Sequence, residues 1–138
     1  MSNFISNYNY KYLDPQDSAI DDLRARIAAT GRNQQTITYT ELVVGIVFRL
    51  KSGKAHQISQ WNEFDRALIG EYLGYLSEES QEQAGFMASA LAVSADKNRP
   101  SAPFFSLARE WGKFQKKGAN AEDDFWLAEL AKAYAYYK

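Results

Sequence analysis

The chain has 138 residues, with 16 Lys and Arg against 17 Asp and Glu, one His and no Cys. That length predicts one domain over 1–138, and the 46% apolar and 14% aromatic content is enough to bury a compact core. The lack of cysteine excludes disulfides, thiol catalysis and zinc–thiolate sites, and the near-neutral charge argues against a strongly basic nucleic-acid binder or a highly acidic mimic.

No basic segment followed by an apolar core stands at the start, and no apolar run approaches the roughly 20 residues of a membrane helix. The expected location is therefore the cytoplasm, without membrane contact. Residues 1–13, rich in Asn, Ser and Tyr, read as an arm that is either loose or packed through Phe4, Tyr8, Tyr10 and Tyr12. Asp14-Pro15 predicts a helix start. Ile20, Leu23 and Ile27 form its inward stripe, Asp17, Asp21, Asp22, Arg24 and Arg26 lie outside, and Gly31 is its left-handed cap.

Thr38-Tyr39-Thr40-Glu41 matches a capping box and predicts a helix over 39–46, turning into a strand near Gly45. Lys51-Ser52-Gly53-Lys54 predicts a turn, with residues 55–58 returning as a paired strand. Ser59 is the expected cap of a long central helix. Phe64, Leu68, Tyr72 and Tyr75 form one apolar stripe on it, and Ile69, Leu73 and Leu76 another. Ala67, Gly70 and Gly74 make a small-residue strip on the same helix, and close helix packing is the expected compensation for glycine there.

Residues 86–93 are apolar and short, which suits a buried strand. Residues 94–103 are polar and hold two prolines, so they read as a loop or wing. Phe104, Leu107, Ala108, Trp111 and Phe114 predict a helix running to Gly118. Asn120 then caps a last helix over 119–138, acidic at its start and facing Trp126, Leu130, Tyr134 and Tyr137 inward.

Little of this chemistry is catalytic. His56 beside a turn reads as a solvated loop histidine. The Ser94-x-x-Lys97 spacing lies in a polar loop without the companion motifs of serine–lysine enzymes. Lys51-Ser52-Gly53-Lys54 lacks the spaced glycine of a phosphate loop. The acidic groups at 63–65, 78–82 and 122–124 read as helix-terminal or solvated charges. No nucleophile, base and orienting group come together, so no catalytic residue, metal or cofactor is expected.

The least random charge feature is basic. Residues 96–117 hold six cations against Asp96 and Glu110, and on a continuous helix Arg109, Lys113, Lys116 and Lys117 share a face opposite the aromatic stripe. Such a face tracks phosphates or an acidic partner. Arg99 extends it, and Arg66 and Tyr39 are secondary candidates, Arg66 lying toward Gly70 where it reaches a ligand along the small-residue strip.

Ile37-Thr38-Tyr39-Thr40-Glu41-Leu42 resembles the Thr-Tyr-x-Glu helix start of the winged-helix domain in DNA alkyltransferases and alkyltransferase-like proteins. Arg66-x-x-x-Gly70-x-x-x-Gly74 echoes the Arg-x-x-Gly pattern of their recognition helix. The resemblance spans roughly residues 37–105. The chain is also similar to small uncharacterised bacterial proteins with an Ile-Thr-Tyr helix start. The alkyl-accepting Pro-Cys-His-Arg motif has no counterpart, so the resemblance implies a winged-helix-like scaffold near nucleic acid and no alkyl transfer.

The expectation is a mainly helical α+β fold, about five helices around a short sheet from 46–58 and 86–93 with a winged-helix-like core. Its expected role is non-enzymatic binding of nucleic acid through Arg99, Arg109, Lys113, Lys116 and Lys117, with Arg66 and Tyr39 in support. The alternative is a protein-binding immunity protein, inhibitor or adaptor in bacterial conflict systems, with the Tyr-rich arm and the terminal Tyr134, Tyr136 and Tyr137 as its contact candidates.

Overall fold

The structure is a computed structural model that describes residues 9–138. Phe4 and Tyr8 of the expected arm lie outside the described residues. Tyr10 and Tyr12 are inside them and pack edge-on against Tyr75 and Phe64. The Glu71 carboxylate fixes this stretch by accepting the backbone N–H groups of Lys11, Tyr12 and Leu13 at 2.9–3.0 Å.

The first helix, α1 (Ala19–Arg32), starts later than Asp14-Pro15 suggests. Asp14 caps a preceding turn. Asp17, expected outside, is buried: its carboxylate accepts from the N–H groups of Ala19 and Arg49 and from the Tyr72 hydroxyl. Burial and this carboxylate push the Tyr72 phenol far above its ordinary range. Gly31 is not a left-handed cap. It lies inside the helix against the ring of Tyr137, where an added Cβ would sit 2.4 Å from the ring.

Strand β1 (Ile37–Thr38) leads into α2 (Tyr39–Val43), and the capping box of Thr38 and Glu41 is present as expected. The chain turns at Gly45 (φ 75°) into β2 (Phe48–Arg49), which pairs antiparallel with β3 (Ala55–His56) across the Ser52-Gly53 turn. The long α3 (Glu63–Ala84) is capped by Asn62 rather than Ser59 and ends on left-handed Gly85. Both of its apolar stripes are buried except at Phe64, which is half-buried.

Residues 86–93 are buried, but only β4 (Ala92–Val93) is extended; Ala88–Leu91 is a 3₁₀ turn. β4 pairs in parallel with β1, not with the β2–β3 hairpin, so the expected short sheet is two separate two-stranded pieces. Helix α4 (Ala102–Glu110) stops eight residues before Gly118, at a turn holding left-handed Gly112 (φ 73°). Helix α5 (Ala119–Tyr137) begins after Gly118, two residues earlier than an Asn120 cap would place it.

The fold is thus mainly helical α+β, with five α-helices among the described residues. One apolar cluster lies around α1 and α3. A second, with Met87, Phe104, Phe105 and Phe114, lies under α4, and Trp126 borders both. Among the described residues no helix is long and apolar enough to cross a membrane.

Candidate functional site

The four cations expected to share one helical face, Arg109, Lys113, Lys116 and Lys117, do not share one helix. α4 ends at Glu110, so Lys113, Lys116 and Lys117 follow it in a turn and an irregular segment. Lys113 points inward. Its ammonium donates to Glu129 at 2.7 Å, to Gln81 and to the Gly85 carbonyl, and only 13% of the side chain is exposed. Glu129 is itself buried and also accepts from the Met87 N–H and from Lys132. Arg99 reaches Glu122 and Asp123 at 3.2 Å and lies over the Phe105 ring. Arg109 lies over Phe114, donates to the Lys116 carbonyl and faces Glu122 at 3.6 Å. The acidic start of α5 therefore neutralises the basic side of α4. Lys116 and Lys117 remain exposed.

The secondary candidates come together instead. Tyr39, at the start of α2, and Arg66, in the first turns of α3, line one cleft of about 380 Å³ between α3 and α4. Its floor is Gly70 and Gly74 of the small-residue strip with Ile69 and Leu73 beside them, while Ala67 of that strip is exposed and does not line it. The facing wall is the start of α4, with Phe104 and Leu107. The strip does not pack a helix closely. A Cβ added at Gly70 meets nothing within 4 Å, and one at Gly74 meets only Leu107 at 3.9 Å. The two glycines thus leave room in the cleft.

Polar groups edge the apolar surface. The Tyr39 hydroxyl accepts from the Ser101 N–H at 2.9 Å and lies 3.1 Å from the Ser101 hydroxyl, which ties α2 to the start of α4. On the inner side, buried Ser89 accepts a 2.6 Å hydrogen bond from Ser77 and gives its own N–H back to Ser77. Ser89 lines the cleft.

The mouth is shaped by residues 59–61. Asp65, 1% exposed, accepts the N–H groups of Ser59, Gln60 and Trp61 on one oxygen and pairs with His56 Nε2 at 2.6 Å on the other. Burial opposes ionisation of Asp65, but the His56 bond and the three N–H groups outweigh it and hold the carboxyl below its ordinary 3.8. His56 is therefore a half-buried partner of Asp65, packed edge-on to Phe64, and not a solvated loop residue. Wrapping the chain round Asp65 leaves Trp61 left-handed at φ 52°, a conformation costing a non-glycine residue about 1–3 kcal/mol. Its half-buried side chain lines the cleft.

Arg66 completes the mouth. It is exposed and donates to the Trp61 carbonyl at 2.7 Å, and no carboxylate pairs with it among the described residues. Ser89 and Ser101 are contributors that sequence spacing did not mark. The strip and Arg66 were visible in it; their common cleft depends on where α4 docks.

Among the described residues no group of three or more His, Cys, Asp or Glu side chains is placed to hold a metal ion. Comparison of the chain with protein families, curated proteins and solved structures gave no significant match in any of the three.

Proposed function

We propose that this is a non-enzymatic binding domain whose working surface is the cleft between α3 and α4. One observation carries the reading: Gly70 faces open space on the cleft side and Gly74 meets only Leu107, at 3.9 Å, although glycine within a helix is less stable than alanine by up to about 1 kcal/mol. Concave, mostly apolar sites of this size with a few polar groups at the edge are the usual form of small-ligand sites. The strained Trp61 at the mouth supports the same reading.

A neutral environment-sensitive dye, Nile red, tests it. Its fluorescence rises on binding to the wild-type chain and falls back in Gly74→Leu, which fills the floor. Equal enhancement in both proteins rejects the cleft.

The nucleic-acid reading keeps Lys116 and Lys117 as its exposed cations, while Arg99, Arg109 and Lys113 are engaged within the fold. Its winged-helix component has one support: β1 precedes α2 and pairs with β4 after α3. The parallel sense of that pair and the hairpin inserted before α3 depart from the pattern. The protein-partner reading, an immunity protein, inhibitor or adaptor, draws on Val44, Val47, Leu127 and Tyr136, large apolar side chains that are about half exposed or more.

A further inference from the structure

We infer that the ligand of the cleft is a small apolar carboxylate, with its hydrocarbon body on the glycine floor and its carboxylate on Arg66; this rests on the cleft being the working surface. The charge pattern around the cleft favours an anion. Arg99 and Arg109, which line the neighbouring hollow that shares Ser94, Ser101 and Ala102 with the cleft, are already matched: Arg99 by Glu122 and Asp123, Arg109 by Glu122. Asp65, the carboxylate next to Arg66 in sequence, is turned inward and matched by His56.

Among the described residues Arg66 is the one cation that lines the apolar cleft, and it has a single neutral acceptor, the Trp61 carbonyl. A guanidinium has five N–H donors in a fixed fork, so one backbone bond orients the group and leaves donors for a planar carboxylate. The same bond holds the fork at the edge of the indole-bearing loop. Among the described residues no carboxylate side chain lines the cleft to repel an anion.

Isothermal titration of the full chain with 1-naphthoate and with its neutral counterpart 1-naphthamide tests the assignment. The expected result is binding of naphthoate about tenfold or more tighter than naphthamide, the scale of one charge-assisted hydrogen-bonded pair. In Arg66→Ala that preference falls to near unity while naphthamide affinity holds. A merely structural role for Arg66, through the Trp61 loop, would weaken both compounds alike and leave their ratio intact. Equal binding of the two compounds to wild type, or a preference that survives Arg66→Ala, overturns the carboxylate and leaves the cleft standing. If neither compound nor Nile red binds wild type, the cleft itself is wrong. Arg66 is exposed, so its replacement leaves the folded core untouched, and circular dichroism of the variant verifies this.

Discussion

At Asp65 a single carboxylate organises the loop that shapes the cleft. The folded state holds this group ionised below its ordinary pKa, so it binds fewer protons than the unfolded chain there. Its contribution to stability is present above pH ~4 and is lost as pH falls through the lower folded value. Asp65→Asn replaces the charged acceptor of His56 and three loop N–H groups with a neutral one and lowers stability at pH 7 by about 1–3 kcal/mol. The deficit shrinks toward pH 3, where wild type loses the same contribution. Urea midpoints of the two proteins across that range measure the difference. At Gly70 the expected sign is opposite. Alanine there meets open space, so Gly70→Ala raises stability by up to about 1 kcal/mol while weakening Nile red binding. A variant that becomes more stable and binds less well separates folding from ligand binding.

Among the elements, the segment after α4 shows where sequence periodicity stopped being informative. Phe104, Leu107, Ala108, Trp111 and Phe114 keep helical spacing, yet the helix ends at Glu110 and Phe114 reaches the same apolar cluster from an irregular segment. Spacing records which side chains are apolar; it does not record that Gly112 turns the backbone. The basic face inferred from a continuous helix fell with it. Lys113→Glu should lower stability by about 3–5 kcal/mol, because it sets a second carboxylate against buried Glu129. Lys116→Glu should change stability by less than about 0.5 kcal/mol. Thermal unfolding of the two variants distinguishes them. Features set by local chemistry were legible: the Thr38–Glu41 capping box, the change of structure near Gly45 and the hairpin over the Ser52-Gly53 turn. Those set by distant partners were not. Asp17 looked like a surface acid and is buried against Tyr72 and Arg49, and Gly31 looked like a helix cap and is a contact site. The candidate site divides the same way. Arg66, Gly70 and Gly74 share a strip because they share α3, whereas the facing wall from α4 and the loop held by Asp65 come together only in the fold.

For the whole molecule, the contact between Gly31 and Tyr137 joins the first described helix to the last. Burial first, with the charges of Tyr136 and Glu79 adding to it and Arg24 opposing, pushes the Tyr137 phenol up to about 12. Gly31→Ala should separate α1 from α5, lower stability by about 1–3 kcal/mol and bring the Tyr137 titration down toward ordinary tyrosine, which an ultraviolet titration of tyrosinate records. The same contact constrains the chain while it is being made. The inward face of α1, with Ile20, Leu23 and Ile27, emerges from the ribosome long before the helix that helps to cover it. Until α5 has been synthesised this early segment lacks its partner, so a nascent chain halted before residue 119 should be cut by protease within α1, and one extended past Tyr137 should resist.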